Sequence, residues 1–170
     1  DGEVMANAFG LAGITAAGIN SSIYGEGDMG KRLVPGHAAH SGVFAMLLAL
    51  KGFTGSRNVL EQPKGFCEAF ADEYDLSLVM NGFGESWEVE RTSLKPYSCC
   101  RYYHAPIDGL LDIMRTEALT GGEIERIAVR TFGIAVHNRP HRTTPGNPFD
   151  ARMSMPYSLA VAAYRNGVGD

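Results

Sequence analysis

The period at which hydrophobic residues recur changes near residue 85, and this change constrains the fold more than any other feature of the sequence. Before residue 85 the apolar residues return every three or four positions, which is the period of an α-helix. Residues 86–93, SWEVERTS, alternate with the two-residue period of a strand. The sequence therefore predicts an all-α portion over residues 1–85 and an α+β portion over residues 86–170.

Three helices are predicted in the first portion. The segment Val4–Ile19 is apolar almost all round and rich in Ala and Gly, which is typical of a helix buried in a core. A short helix is predicted over Gly65–Asp72. Between them, a helix is predicted over His37–Leu50, because its apolar residues share one stripe: Ala39, Val43, Leu47 and Leu50.

The second portion is predicted to alternate strands with helices. The helix that Pro106 opens ends before Gly121, and a last helix spans Ser154–Asn166. A strand is predicted over Glu125–Val136, which is rich in β-branched residues. Two strands alone form a marginal sheet, so we expect further strands from outside this chain.

Both ends of the chain look like cuts. The chain begins at Asp1 within helical sequence, and it ends at Asp170 soon after another helix. We therefore expect a fragment of a longer protein.

Composition and charge narrow the function classes. The net charge is -4 and the 15 Lys and Arg are scattered, which predicts no nucleic-acid partner. The longest apolar run, Val43–Leu50, is far shorter than the ~20 residues that cross a bilayer, so no membrane contact is predicted. The three cysteines, Cys67, Cys99 and Cys100, cannot all pair, which predicts a reducing, cytoplasmic compartment. Their spacing fits no zinc or iron–sulfur site, so no metal is expected.

The stretch Lys95–Asp108, KPYSCCRYYHAPID, is the densest group of reactive side chains. It brings these residues to the start of the helix that Pro106 opens: Lys95, Tyr97, Ser98, Cys99, Cys100, Arg101, Tyr102, Tyr103 and His104. A helix N-terminus offers free N–H donors, which together with Lys95 and Arg101 suit a carboxylate. His104 is placed to act as an acid or base near neutral pH. The alternative is an ordinary loop with packed tyrosines and solvated cations.

A second candidate segment is Gly30–Gly42, GKRLVPGHAAHSG. Lys31 and Arg32 precede a Pro-Gly turn, and His37 and His40 follow it in the first turn of a helix. The alternative is that these side chains simply face water. Two histidines in a later loop form a weaker candidate: His137 and His141.

In order and spacing, these segments resemble the MmgE/PrpD family. The resemblance covers most of the chain and rests on these pieces: ANAFGLAGITAAG, KRLVPGHAAHSGVFAMLLALKGFTG, VLEQPKGFCEAF, KPYSCCRYYHAPID, IERIAVRTFG and DARMSMPYSLAVAA. It implies a large all-α domain and a smaller α+β lid, with the active site in the cleft between them. Residues 1–85 would belong to the helical domain and residues 86–170 to a lid that is incomplete at its C-terminus. The resemblance also implies a homodimer that needs neither a metal nor an organic cofactor.

The resemblance implies roles for individual residues as well. Lys31 and Lys95 match family lysines that bind substrate carboxylates, and His104 matches a histidine of the same segment, so these three are the candidate catalytic residues. At Cys100 the decarboxylase branch of the family has a further active-site histidine, so decarboxylase chemistry does not carry over directly. The candidate substrate-binding residues are Arg32, Ser98, Cys100, Arg101 and Tyr103.

The predicted function is that of a cofactor-independent hydro-lyase acting on a small di- or tricarboxylate, similar to 2-methylcitrate dehydratase. Cations would stabilise the charge that develops when a proton moves next to a carboxylate. Decarboxylase and epimerase activities of the same family are the alternatives. A different alternative is that this chain by itself only folds or dimerises, without turnover.

Overall fold

The computed structural model describes residues 1–19, 29–137 and 142–165. Its contacts divide the chain into two compact units. The first comprises residues 1–19 and 30–92, and the second comprises the described residues from 93 onward. This division falls a few residues beyond residue 85, and the domain boundary predicted there stays a prediction.

Two helices pack together in the first unit: α1, Gly2–Ile14, and α2, Gly30–Leu50. Asp1 caps α1, because its carboxylate accepts a hydrogen bond of 2.9 Å from the Glu3 N–H. The first two predicted helices are therefore confirmed. The buried cluster that the two helices share consists mostly of small residues: Ala8, Leu11, Ala45 and Ala49.

The face of α2 that packs differs from the predicted stripe. Val43, Leu47 and Leu50 are exposed, whereas Ala45 and Ala49 are buried. Small residues let two helices approach closely, so the alanines form the contact with α1. The residues of the predicted stripe consequently remain on the surface of this chain, whereas Met46 and Leu48 are partly buried against the core.

The helix α2 also begins earlier than predicted. It includes Lys31 and Arg32, which we expected in a loop, and it carries Pro35 inside the helix. Proline has no N–H and cannot donate to the carbonyl four residues earlier, which is that of Lys31. Because this position lies close to the helix start, only one backbone hydrogen bond is lost and the helix continues through it.

By length and composition alone, α2 is also apolar enough to cross a membrane. Core helices of water-soluble proteins pass the same test, so the property is weak evidence for a span. The predicted absence of membrane contact stays a prediction.

Short helical elements complete the first unit. The helix α3, Phe66–Phe70, confirms the predicted third helix. Two 3₁₀ helices follow, Leu76–Met80 and Glu88–Arg91.

The strand predicted over residues 86–93 is wrong, because the 3₁₀ helix Glu88–Arg91 occupies it. Trp87 and Val89 are both exposed, so the alternating pattern corresponds to no buried face. The Arg91 guanidinium donates a 3.0 Å hydrogen bond to the Glu88 carboxylate, and a 3₁₀ turn brings residues three apart into this register. A strand also needs a neighbour for its backbone hydrogen bonds, and the described residues of the first unit contain none.

Two helices form the core of the second unit: α4, His104–Thr116, and α7, Met155–Arg165. Both were predicted, and α4 buries the apolar stripe expected of it. The buried side chains of this core include Tyr103, Ile107, Leu110, Met114, Leu159 and Ala162. Shorter elements complete the unit: α5, Gly133–His137, α6, Pro148–Arg152, and the 3₁₀ helices Arg101–Tyr103 and Gly121–Glu123.

The strand predicted over Glu125–Val136 is not found in the structure of this chain either. Residues 124–132 form neither helix nor strand, and α5 begins at Gly133. β-branched residues favour a strand only where a neighbouring strand accepts its backbone hydrogen bonds, and the described ranges contain no strand. The helical character predicted for the first portion is confirmed, whereas the α+β character of the second is not found in the part of the chain that the structure describes.

Candidate functional site

Six of the predicted site residues lie in one segment of the second unit, residues 95–104, which leads into α4. Two hydrogen bonds tie this segment to the backbone at the C-terminal end of α6. The Cys100 N–H donates to the Arg152 carbonyl at 2.9 Å, and the Tyr103 hydroxyl donates to the Met153 carbonyl at 2.7 Å. The buried Tyr103 hydroxyl is thus engaged by the protein itself, and its predicted contact with substrate stays a prediction.

Lys95 is exposed and is oriented by its own segment. Its ammonium group donates to the Cys99 carbonyl, with 3.4 Å between Nζ and the oxygen. An ammonium group has three N–H donors, so this contact leaves others for a ligand. Lys95 is therefore available to a carboxylate that approaches the segment.

His104 is the first residue of α4 and is almost fully buried, with 1% of its surface exposed. Its Nδ1 lies 3.1 Å from the Arg101 Nη1. Burial lowers the pKa of His104, and the positive charges of Arg101 and Lys95 lower it further, while the Cys99 carbonyl and Asp108 oppose the shift. The imidazole is therefore neutral at pH 7.

Tyr97 and Asp108 form part of this arrangement, although neither was among the predicted site residues. The Tyr97 hydroxyl donates to the Asp108 carboxylate at 2.6 Å, and the carboxylate raises the pKa of Tyr97. The Tyr97 ring meets the His104 ring edge-on, with 5.2 Å between ring centroids. Asp108 follows His104 by one helical turn, a spacing from which the sequence alone could have placed both on one face of α4.

A pocket of about 560 Å³ lies beside the segment, within the second unit. Ser98 and Cys99 form one wall, and the other walls come from residues 143–148, α6 and α7. Arg152 and Arg165 contribute positive charge, and none of the described residues that line the pocket is acidic. The pocket is therefore large enough for a small carboxylate, and its arginines suit an anion.

Several polar residues that line the pocket were not predicted from the sequence. Three of them, Arg152, Tyr157 and Ser158, lie close together in the DARMSMPYS stretch, and this grouping could have identified them. These additional polar residues are Thr143, Thr144, Asn147, Arg152, Tyr157, Ser158 and Arg165. Among the thiols, Cys99 lines the pocket, whereas the half-buried Cys100 is not among the lining residues. Burial raises the pKa of Cys99, which makes it an unreactive thiol at neutral pH.

The other predicted residues belong to the first unit. Lys31 and Arg32 are exposed in the first turn of α2, and that turn itself contains no acidic residue. His37 lies 3.3 Å from the Ser41 hydroxyl, and His40 stacks on Phe44 with 6.2 Å between ring centroids.

Two weaker candidates, the His137 side chain and His141, fall outside the described residues. In the ranges 1–19, 29–137 and 142–165, no three His, Cys, Asp or Glu side chains converge as a metal site would require. Independence from metals and cofactors stays a prediction.

Comparison with known proteins places both units in one family. The pattern that defines the MmgE/PrpD N-terminal domain matches residues 1–79, and that of the MmgE/PrpD C-terminal domain matches residues 97–169. Two cis-aconitate decarboxylase sequences of Aspergillus terreus are 29% and 28% identical to this chain over 173 aligned residues. A cis-aconitate decarboxylase-like protein of Aspergillus oryzae is 29% identical over 116 residues, covering 64% of this chain and 24% of that protein.

The two decarboxylase alignments cover 94% of this chain but 35% of each relative, so the chain spans about a third of their length. The family resemblance noted in the sequence is confirmed, since the two domain patterns match in order along nearly the whole chain. The chain belongs to the MmgE/PrpD family.

Proposed function

We propose that the whole protein is a cofactor-independent lyase that acts on a small di- or tricarboxylate. The observation that carries this proposal is the pocket beside residues 95–104, whose lining includes Ser98, Arg152 and Arg165. Lys95 adds a further cation on the same segment. Positive charge at a partly enclosed site stabilises a carboxylate and the extra charge that it gains during reaction.

The chemistry requires movement of one proton and breakage of one bond next to a carboxylate. In a decarboxylation the carbon–carboxylate bond breaks, CO₂ leaves, and the electron pair left behind takes up a proton. In a dehydration a C–H proton is removed and a hydroxyl group leaves with a proton as water. Both reactions place transient negative charge on a carboxylate, which Lys95 and the pocket arginines are suited to stabilise.

Decarboxylation is the first candidate, because the curated relatives are named cis-aconitate decarboxylases. This reverses the order of preference from sequence alone, which placed dehydration of 2-methylcitrate first. Dehydration remains the second candidate because of Cys100, which replaces a histidine of the decarboxylase branch. Lys31, Lys95 and His104 are proposed to participate directly, and Arg32, Ser98, Cys100, Arg101 and Tyr103 are proposed to bind substrate.

The test uses the full-length protein from which this chain derives. It is incubated separately with cis-aconitate, 2-methylcitrate, citrate and iminodisuccinate, and products are followed by NMR. Conversion of cis-aconitate to CO₂ and a five-carbon dicarboxylate supports the first candidate, and loss of water from 2-methylcitrate supports the second. Absence of turnover with all four compounds would reject the proposed function.

In the active full-length protein, we expect Lys95→Ala to lower kcat/KM by about 30-fold, the contribution of one hydrogen bond to a charged group. The exposed Lys51 in the first unit serves as the matched control, and Lys51→Ala should leave kcat/KM unchanged. Steady-state kinetics on both variants measure the difference. Equal activity of the Lys95 variant and the wild type would remove Lys95 from the site.

We also propose that the whole protein is a cytoplasmic homodimer and that residues 124–132 join a sheet completed by other parts of the polypeptide. The exposed apolar surface of α2 is consistent with further packing partners. Light scattering of the full-length protein tests the homodimer and should give twice the mass of one subunit.

Amide hydrogen exchange of the full-length protein tests the sheet. It should show protection across residues 124–132, and rapid exchange there would contradict a sheet.

A further inference from the structure

The two ring nitrogens of His104 have different surroundings. Nδ1 lies 3.1 Å from the Arg101 Nη1, whereas Nε2 is buried and no described residue forms a hydrogen bond with it. A guanidinium group has N–H donors and no acceptor. In the contact between Arg101 and His104, therefore, Nδ1 must accept and cannot carry a proton.

The surroundings of the His104 ring also favour an imidazole without a proton on Nδ1. Arg101 and Lys95 are the positive groups that act on His104. Asp108, whose carboxylate already receives the Tyr97 hydroxyl, and the Cys99 carbonyl favour the charged ring, but burial outweighs them and the pKa of His104 is lowered. Tyr97 contacts the ring edge-on, and the buried Cys99 lies in the same segment. A second proton on the imidazole would place a third positive charge beside two others in a buried position, which is unfavourable.

A neutral imidazole without a proton on Nδ1 must carry it on Nε2. A buried N–H without an acceptor loses the solvation free energy that water would supply, and an acceptor oxygen from a ligand would restore that lost hydrogen bond. The group that it fits is an oxygen with negative charge, which is what a substrate carboxylate supplies.

We propose that Arg101 is a positioning residue that fixes His104 as the neutral Nε2–H tautomer, so that His104 serves the site as a hydrogen-bond donor and not as a base. The choice of a carboxylate oxygen as the acceptor rests on the proposed function, whereas the tautomer rests on the geometry of this chain alone. In this state His104 can donate a hydrogen bond to an oxygen but cannot take up a proton at Nε2, so another group removes the proton.

The tautomer is measured directly on the full-length protein with ¹⁵N-labelled histidine. Two-bond ¹H–¹⁵N correlation spectra distinguish the two tautomers, and the His104 signals are those that disappear in His104→Gln. We expect Nε2 to carry the proton in the wild type and Arg101→Lys, which retains a charged donor, to preserve this state. In Arg101→Met both tautomers should appear, while Arg115→Met, on the exposed face of α4, should change nothing. A wild-type spectrum with the proton on Nδ1, or an Arg101→Met spectrum identical to it, would overturn the proposal.

The second measurement is kinetic and uses the full-length protein. Arg101→Met should lower kcat about tenfold, the equivalent of one hydrogen bond, and Arg101→Lys should restore most of it. Because loss of a positive charge raises the pKa of His104, the acidic limb of the pH profile should move to higher pH. An unchanged profile would show that His104 does not act through Arg101. If no carboxylate is turned over but the spectra agree, the tautomer stands and the proposed function fails.

Discussion

Replacing Ile107 by alanine is expected to lower the free energy of unfolding of the second unit by about 4 kcal/mol. Ile107 is completely buried in α4, in the cluster that contains Tyr103, Leu159 and Ala162. Removing most of its side chain leaves a cavity in addition to the lost burial of apolar surface, and both effects destabilise. The effect should be confined to the second unit, because Ile107 packs within that core.

The same substitution on the other face of α4 is the matched control. Ile113 is 57% exposed, so Ile113→Ala should change the free energy of unfolding by less than about 0.5 kcal/mol. Hydrogen exchange of peptides from α4 and α7, read against denaturant concentration, measures both variants. A loss below about 1 kcal/mol for Ile107→Ala would show that this core is less closely packed than the structure describes.

Substituting Gly10 by alanine is expected to destabilise the first unit by about 3 kcal/mol. A methyl group at this position of α1 would lie 2.5 Å from the Ser56 backbone nitrogen and 2.8 Å from the Gly55 carbonyl carbon. Backbone atoms cannot turn aside as a flexible side chain can, so α1 must move away from residues 55–56. That movement would also break the 3.1 Å hydrogen bond in which the Gly55 N–H donates to the Asn7 side chain.

Gly42 provides the control for this substitution because it lies inside α2 with open space around it. Gly42→Ala should stabilise the first unit by about 0.5–1 kcal/mol, since alanine favours the helix and no contact is disturbed. Hydrogen exchange of peptides from α1 and α2 measures the two variants together. Equal stability of Gly10→Ala and the wild type would contradict the close approach of α1 to Gly55.

The helices were predictable from sequence where independent local signals agreed. For α4, the apolar spacing, Pro106 near the start and Gly121 beyond the end all indicated the same element. For residues 86–93 and 124–132 the signal was alternation or β-branching alone. Those patterns describe suitability for a sheet, and a sheet exists only when a second strand supplies the hydrogen bonds.

The candidate site also has one part that could be predicted from the sequence and another part that could not. The crowded segment from Lys95 to His104 is continuous in sequence, so it could be chosen as a candidate without a structure. The wall that faces it depends on how residues 143–165 fold back against Ser98 and Cys99, which no local pattern contains. The burial of His104 was equally hidden, because it depends on Tyr97 and Arg101 folding around the ring.

The hydrogen bonds that hold residues 95–104 have a consequence for how this site can diversify. Their acceptors are the main-chain carbonyls of Arg152 and Met153, which every amino acid possesses. Mutation at position 152 can therefore replace the side chain that lines the pocket while Cys100 keeps its partner. The anchoring of the segment is therefore separated from the side chain that lines the pocket, so single substitutions at position 152 can change the pocket lining and leave the architecture intact.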